Sequence, residues 1–188
     1  PLEPIFIFLS AYANECKNRN IIINFISSII KKIILNFILT MGQFVLLWYY
    51  IKMIFKQLFD TKSSTYTYLI SSGKGREALI IDPVKENVGD YIKLLKELDL
   101  KLVKVIDTHI HADHVTGASK LKDITKCSTI MGAHSPAETV EIKVKDDEYI
   151  NLDNLKIRAM YTPGHTSDSY SFLMDNYLFS GDTLLING

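Results

Sequence analysis

His109-Ile110-His111-Ala112-Asp113-His114 places three imidazoles and one carboxylate within six residues. It follows closely after the apolar run Leu102-Val103-Lys104-Val105-Ile106, which has the composition of a buried strand. Imidazoles and carboxylates beside a buried strand are costly to desolvate unless something pairs with them, and a divalent cation is the usual partner. The sequence therefore predicts a metal site in the loop at the carboxyl end of this strand.

Two further candidate ligands lie farther along the chain. His165 follows the alternating segment Leu155–Tyr161, and Asp182 follows a predicted hairpin over residues 170–179. Because each candidate comes just after a strand, several strands would direct their loops to one edge of a sheet. Four of the five histidines fall in these loops, which favours one shared site over isolated surface imidazoles. The fifth, His134, is interpreted as a surface residue.

The spacing within the first loop favours two adjacent metal positions. His109 and His111 are two residues apart and could reach the same ion, whereas Asp113 and His114 would face a neighbouring position. The later histidine would complete the first position, and the later aspartate could bridge the two. Imidazole and carboxylate ligands suit zinc, iron or manganese, and the absence of thiolates argues against a closed structural zinc site.

The residue types leave two kinds of chemistry open. A pair of ions would generate hydroxide for hydrolysis. A single ion held by two histidines and one carboxylate would keep open positions, as suits Fe(II) and oxygen chemistry. Asp107 could accept an imidazole N–H or cap the loop, and Tyr66 and Tyr68 are interpreted as sheet residues.

Composition excludes several classes of function. Twenty-one basic residues balance twenty-one acidic ones, so the chain has no electrostatic footprint for nucleic acid. The two cysteines, Cys16 and Cys127, show no CxxC spacing and predict free thiols in a reducing compartment. We therefore expect a cytoplasmic location, or the mitochondrial matrix in a eukaryotic cell.

The first 52 residues differ from the remainder of the chain. Residues 33–51 carry no charged side chain and approach the length of about 20 residues that spans a bilayer. Residues 1–52 are therefore either a membrane anchor or translated upstream sequence that precedes a start at Met53 or Met41. The protein would be membrane-anchored only in the first case, and residues 53–188 form the predicted globular domain.

The pattern from Met53 onward predicts an α/β (α+β) domain. Helical periodicity over Val88–Leu98 predicts one helix, and a second is expected to begin within Val115–Leu121. Alternation and β-branched residues predict the strands. They are Ser64–Ile70, Ala78–Ile81, Leu102–Ile106, Ser128–Met131, Leu155–Tyr161, Tyr170–Met174 and Tyr177–Phe179.

The segment Thr108–Gly117 resembles the HxHxDH motif of the metallo-β-lactamase superfamily. The flanking motifs resemble most the persulfide dioxygenase branch, which is close to the glyoxalase II hydrolases. These motifs are Ser64–Leu69, Ile80–Pro83, Thr162–Thr166 and Ser180–Ile186. The resemblance covers residues 53–188 and implies an αββα four-layer sandwich of two facing sheets, with the site at one edge and the fold incomplete at its C-terminus.

The dioxygenase resemblance implies one Fe(II) per chain, held by His109, His165 and Asp182. His111, Asp113 and His114 would then surround the ion without binding it, and Asp113 is the candidate catalytic residue. The implied reaction is oxidation of glutathione persulfide by O2 to sulfite and glutathione.

The hydrolase resemblance implies two Zn(II) ions per chain and attack of a metal-bound hydroxide on a glutathione thioester. In that case Asp182 would bind both ions. The remaining ligands would be His109, His111 and His165 for one ion, and Asp113 and His114 for the other.

The resemblance also implies a segment beyond Asp182 that carries an Arg-rich substrate loop and a last histidine. This sequence ends at Gly188. We expect a chain of this length to bind glutathione poorly and to leave sheet surface uncovered. An inactive, truncated metal-binding module is therefore a further alternative, and a homodimer is possible.

Overall fold

The computed structural model of the chain describes residues 27–34 and 53–184. The chain divides into two units, Pro1–Tyr49 and Tyr50–Gly188. In the first unit, residues 27–34 form a helix, α1, with mostly exposed side chains. The predicted membrane span over residues 33–51 lies outside the described residues, except for its first two positions. None of the helices in the described part of the chain is long and apolar enough to cross a membrane.

The second unit contains a six-stranded mixed sheet in the order β1-β2-β3-β4-β5-β6. The pairs β1–β2 and β2–β3 are antiparallel, and the remaining three pairs are parallel. Parallel neighbours need a crossover connection, and helices α2 (Val88–Glu97) and α3 (Ala118–Thr125) supply the first two. The strands are β1 (Ile54–Asp60), β2 (Thr65–Ser71), β3 (Glu77–Ile81), β4 (Lys101–Ile106), β5 (Ser128–Gly132) and β6 (Ile142–Val144).

A second sheet of four antiparallel strands has the order β10-β9-β8-β7. Its apolar side chains, among them Ile157 and Phe172, pack with Ile70 and Ile106 of the first sheet in one core. The strands are β7 (Tyr149–Leu152), β8 (Leu155–Tyr161), β9 (Tyr170–Met174) and β10 (Tyr177–Phe179). The predicted mixed α/β class with two sheets is thus confirmed.

The outer face of the first sheet packs against α2 and α3. Tyr91 and Leu95 of α2 and Leu121 of α3 share a second apolar cluster with Ile80 and Val105 of the sheet. The described residues of the second unit therefore form three layers, one of helices and two of sheets. Within them, the fourth layer of the expected sandwich is not found.

Helix α3 begins at Ala118, within the predicted range of residues 115–121. The preceding residues are held by the segment after β3. The Val115 carbonyl accepts a hydrogen bond from the Lys85 amide at 3.0 Å, and the Gly117 amide donates to the Pro83 carbonyl at 2.6 Å. These tertiary bonds compete with helical ones and set the first helical residue. Strands β1, β6 and β7 were not predicted as separate strands. For β6 and β7 the reason is that three or four residues carry too little periodicity.

The loops that carry the candidate metal ligands lie at one edge of the two sheets. The carboxyl ends of the parallel strands β3 and β4 meet there, and the Asp82 amide donates to the Ile106 carbonyl at 2.9 Å. Strands β8 and β10 of the second sheet end on loops that lead to His165 and Asp182. A hydrogen bond of 2.9 Å from the Tyr170 amide to the Thr108 carbonyl joins the two sheets at this edge.

Candidate metal centre

Asp82 anchors the loop that follows β4. Its Oδ1 accepts a hydrogen bond of 2.7 Å from the Thr108 amide, and its Oδ2 accepts one of 3.0 Å from the Thr108 hydroxyl. Asp82 has a φ of 49°, in the left-handed region that aspartate tolerates better than most residues. The strand-ending carboxylate therefore holds the backbone of the metal-site loop, a role that the sequence interpretation did not give it.

His109 has one bonded and one bare ring nitrogen. Its Nδ1 lies 2.9 Å from the Thr108 hydroxyl, whose hydrogen is directed to Asp82, so Nδ1 is the donor. Its Nε2 is buried and has no hydrogen-bond partner. Buried polar atoms are nearly always paired, so a bare nitrogen with a lone pair fits a metal ion. Burial, and then the nearby charge of His111, lower the pKa of His109, which favours the neutral form that binds metal.

His165 and Asp182 lie opposite this bare nitrogen. Asp182 Oδ2 is 3.8 Å from His109 Nε2 and 3.5 Å from His165 Nε2. One ligand atom from each of the three residues lies within 4.8 Å of the others. The His109 side chain is 2% exposed, whereas those of His165 and Asp182 are each 43% exposed, so the group opens to solvent on one side. Two imidazoles and one carboxylate could thus hold one metal ion and leave room for further ligands.

A second group is formed by His111, Asp113 and His114, whose ligand atoms also lie within 4.8 Å of one another. His114 Nδ1 lies 3.0 Å from Asp113 Oδ2 and 3.2 Å from the Thr65 hydroxyl, while its Nε2 is buried without a partner. His111 Nε2 is 3.1 Å from Asp82 Oδ1, so Nδ1 is the nitrogen that faces Asp113, at 3.9 Å. The ligand atom of His111 thus lies with those of Asp113 and His114, the set that the dioxygenase resemblance implies, and its ring centroid is also 4.3 Å from that of His109.

Asp107 is buried and bonds to a hydroxyl rather than to an imidazole. The Thr116 hydroxyl lies 2.8 Å from Asp107 Oδ1 and 3.0 Å from Oδ2, which ties the end of the loop to its start. Of the two roles left open by the sequence, these bonds match the loop cap. Burial, and then the charge of Asp82, raise the pKa of Asp107 to about 7.

The pKa of His111 reflects opposing effects. Burial is the largest effect and lowers it, but the hydrogen bond to Asp82 and the charges of Asp82, Asp107 and Asp113 together raise it to about 9. Metal binding requires the neutral imidazole, so an ion at the second group must displace this proton.

The metal-free protein is expected to lose stability as the pH rises from 6.5 to 9. The folded state holds the His111 proton up to a pKa of about 9, against an ordinary value of 6.5. This stabilisation is fully present below pH 6.5 and disappears as the pH passes 9, with a loss of roughly 1 to 3 kcal/mol. Urea unfolding at several pH values, with a chelator present, measures the slope of the unfolding free energy against pH. His111→Gln should flatten it, and an equal slope in both proteins would contradict the assignment.

Gly181 allows the Asp182 turn to approach the first loop. Its φ is 49°, and a Cβ at this position would lie 2.4 Å from Oγ1 and 2.9 Å from Cβ of Thr108. Thr183 Oγ1 also lies 3.2 Å from the Thr162 carbonyl oxygen, which ties this turn to the segment before His165. The glycine within Ser180-Gly181-Asp182 is thus required by close contact, a role that the sequence interpretation missed.

The remaining candidates lie around the centre. His134 is exposed, and it is also stacked on Tyr161, with ring centroids 3.9 Å apart, and bonded through Nδ1 to the Tyr170 hydroxyl at 2.9 Å. Tyr66 and Tyr68 lie in β2, as sheet residues should. Both also line a cavity of about 660 Å³ that reaches His111, Asp113 and Asp182.

A second cavity, of about 530 Å³, adjoins the other side of the centre and extends along α3. One helix layer and two facing sheets, with imidazoles and carboxylates at one edge, correspond to three of the four layers of the αββα class of metal-binding proteins. The sequence profile of the metallo-beta-lactamase superfamily matches residues 60–188. The chain belongs to this superfamily, as its HxHxDH motif suggested.

The chain is similar to two kinds of protein with curated sequences. The mitochondrial persulfide dioxygenase ETHE1 of Bos taurus is 36% identical over 136 residues, which are 71% of this chain and 53% of that protein. The hydroxyacylglutathione hydrolase of Dictyostelium discoideum is 32% identical over 133 residues, 65% of this chain and 49% of that protein. The chain thus spans about half the length of the curated relatives that it matches.

The chain is also similar to solved structures of this superfamily. The crystal structure of ETHE1 from Myxococcus xanthus superposes with a TM-score of 0.69 at 41% identity, over 72% of this chain and 60% of that one. The BLEG-1 B3 metallo-beta-lactamase superposes with a TM-score of 0.61 at 22% identity, over 71% and 74% of the two chains. The second likeness shows the shared fold alone.

Proposed function

We propose that the protein carrying this sequence is an iron-dependent dioxygenase that oxidises glutathione persulfide. The observation that carries the proposal is the bare, buried Nε2 of His109, which faces Asp182 and His165 across an opening to solvent. Two histidines and one carboxylate with open positions suit Fe(II) and oxygen chemistry. The similarity to persulfide dioxygenases of several mammals and of Myxococcus xanthus supports the same reaction.

In this proposal His109, His165 and Asp182 hold one Fe(II), which supplies the electron-transfer chemistry that O2 requires. The reaction converts glutathione persulfide, O2 and water to glutathione, sulfite and two protons. The terminal sulfur is oxidised by four electrons, O2 accepts those electrons, and the sulfur–sulfur bond breaks.

Asp113 is the neighbouring side chain for which we propose a catalytic role. Asp113 lies beside the opening, and its Oδ2 is 3.0 Å from His114 Nδ1. The hydrogen bond from His114, among other effects, keeps the pKa of Asp113 low although burial opposes this, so the carboxylate is ionised at neutral pH. Because this low pKa makes Asp113 a weak base, we propose that its ionised carboxylate acts as a catalytic hydrogen-bond acceptor that orients the substrate beside the metal site.

A second candidate function rests on the second group of side chains. The Nε2 atom of His114 is also buried without a partner, which would suit a second ion beside the first. Two Zn(II) ions would supply hydroxide for hydrolysis of a glutathione thioester. Hydroxyacylglutathione hydrolases are among the relatives, which supports this alternative.

One pair of assays separates these functions. The protein is loaded with Fe(II) or Zn(II), and oxygen uptake and sulfite formation with glutathione persulfide are compared with hydrolysis of a glutathione thioester. We expect the iron form to consume one O2 per sulfite, and we expect His165→Ala to abolish uptake. Thioester hydrolysis by the zinc form, without oxygen uptake by the iron form, would instead establish the hydrolase.

The remaining features of the proposal follow from the sequence. Residues 53–188 are proposed as part of the catalytic domain and residues 1–52 as an extension to it. A cytoplasmic or mitochondrial matrix location would suit the buried free thiol of Cys127.

A further inference from the structure

The two histidines of the proposed iron site come from different loops and different sheets. His109 follows β4 of the first sheet, and His165 lies between β8 and β9 of the second. Their ring centroids are 5.1 Å apart, and the ring planes are inclined at 87°. A metal site tolerates deviations of only about 0.5 Å, so the distance between these loops has to be held by specific contacts.

Asp168 makes such a contact. It lies three residues after His165, and it is only 4% exposed. Its Oδ2 accepts a hydrogen bond of 3.1 Å from the Ile110 amide. Two residues later, the Tyr170 amide donates to the Thr108 carbonyl at 2.9 Å. Residues 168 and 170 therefore hold the chain on both sides of His109.

The two contacts differ in kind. The bond from Tyr170 joins two backbones at the start of β9 and belongs to the sheet framework. The other bond is made by the Asp168 side chain, and it joins the loop that carries His165 to the loop that carries His109. A buried carboxylate is costly unless it is bonded, so its presence in this loop calls for a specific role. No ligand group of three or more residues in the described part of the chain includes Asp168.

We propose that Asp168 is a positioning residue that sets the separation of His109 and His165, and thereby the affinity of the site for a divalent metal. Residues that orient metal ligands typically contribute 10- to 100-fold in affinity. The proposal rests on the metal site and does not depend on the substrate. It can therefore be tested with a metal ion alone.

The test is titration of the metal-free protein with Co(II), followed by the visible ligand-field spectrum and by competition with a chelator. Asp168→Ala removes the acceptor and should weaken Co(II) binding 10- to 100-fold and alter the spectrum. Asp168→Asn retains an oxygen at the same place and should stay within about threefold of the original affinity. Asp168→Glu moves the acceptor by one methylene and should be weakened at least about tenfold.

Asp153→Ala is the matched control for a purely structural effect. The Asp153 carboxylate links the two sheets at their opposite end, through the Ser72 hydroxyl at 2.7 Å and Arg76 Nε at 3.3 Å. This variant should lower the thermal midpoint and leave Co(II) affinity unchanged. If Asp168→Ala does not fold, the Asn and Glu variants decide.

Three outcomes would overturn the proposal. The first is wild-type Co(II) affinity in Asp168→Ala or Asp168→Glu. The second is failure of Asp168→Asn to retain affinity. The third is loss of Co(II) affinity in Asp153→Ala in proportion to its loss of stability. Because no assay uses persulfide or oxygen, failure of the proposed oxidation would leave these results unaffected.

Discussion

Asp182→Ala is expected to lower the affinity for a divalent metal at least about 100-fold, or about 3 kcal/mol. Asp182 Oδ2 lies between His109 Nε2 and His165 Nε2, at 3.8 and 3.5 Å, so its loss removes the only anionic member of that group. Two imidazoles alone would leave the charge of the ion largely uncompensated. Competition between the protein and a chelator for Co(II) or Zn(II) measures the effect.

The side chain of Asp182 is 43% exposed, so its removal should leave the thermal midpoint of the metal-free protein nearly unchanged. The difference between the thermal midpoints of the metal-bound and metal-free protein should shrink instead, because an ion that binds more weakly stabilises the folded state less. Glu138→Gln removes an exposed carboxylate elsewhere and serves as the control for net charge. Equal metal affinity in Asp182→Ala and Glu138→Gln would exclude Asp182 as a ligand.

Gly132→Ala is expected to reduce the free energy of unfolding by about 3 kcal/mol. A Cβ at Gly132 in β5 would lie 2.0, 2.2 and 2.6 Å from Cδ2, Cε2 and Cγ of Tyr170. The Tyr170 ring is fully buried and its hydroxyl is bonded to His134, so it has no open space into which to move. The two sheets would have to separate locally, and urea unfolding of the metal-free variant measures the cost.

Gly89→Ala is the matched control for this substitution. Gly89 lies in the first turn of α2, and no atom lies within 4 Å of a Cβ built there. Alanine should stabilise that helix by about 0.5 to 1 kcal/mol because glycine loses more conformational freedom on folding. Opposite signs for the two variants are therefore expected. An unchanged stability in Gly132→Ala would show that the sheets are not in close contact through Tyr170.

The same interface affects the site. Tyr170 is bonded through its amide to Thr108, next to His109. A local separation of β5 and β9 in Gly132→Ala should therefore also weaken metal binding, whereas Gly89→Ala should not.

Local pattern was sufficient for most of the elements. Strand β8 alternates between buried and partly exposed residues, and α2 buries Val88, Tyr91 and Leu95 at helical spacing, so each has the periodicity of its own secondary structure. Pattern gave only a range for the start of α3. Within that range, a tertiary bond sets the first helical residue, because the Gly117 amide donates to the Pro83 carbonyl.

The chemistry of the site could also be predicted from the sequence. A histidine-rich loop after a buried strand, together with His165 and Asp182 after later strands, already predicted a metal centre at one edge of a sheet. The family could be identified from the same residues, because the HxHxDH motif is specific and residues 60–188 match the superfamily.

The tertiary structure alone showed which contacts hold these side chains in place. Nδ1 of His111 faces Asp113, because Asp82 bonds the other nitrogen of that ring. The structure also brought in Asp168 and Gly181, whose roles depend on contacts with a loop more than 50 residues away in the chain. Residue type and spacing determine what a side chain can bind, whereas the packing of the two sheets determines which partner lies within reach.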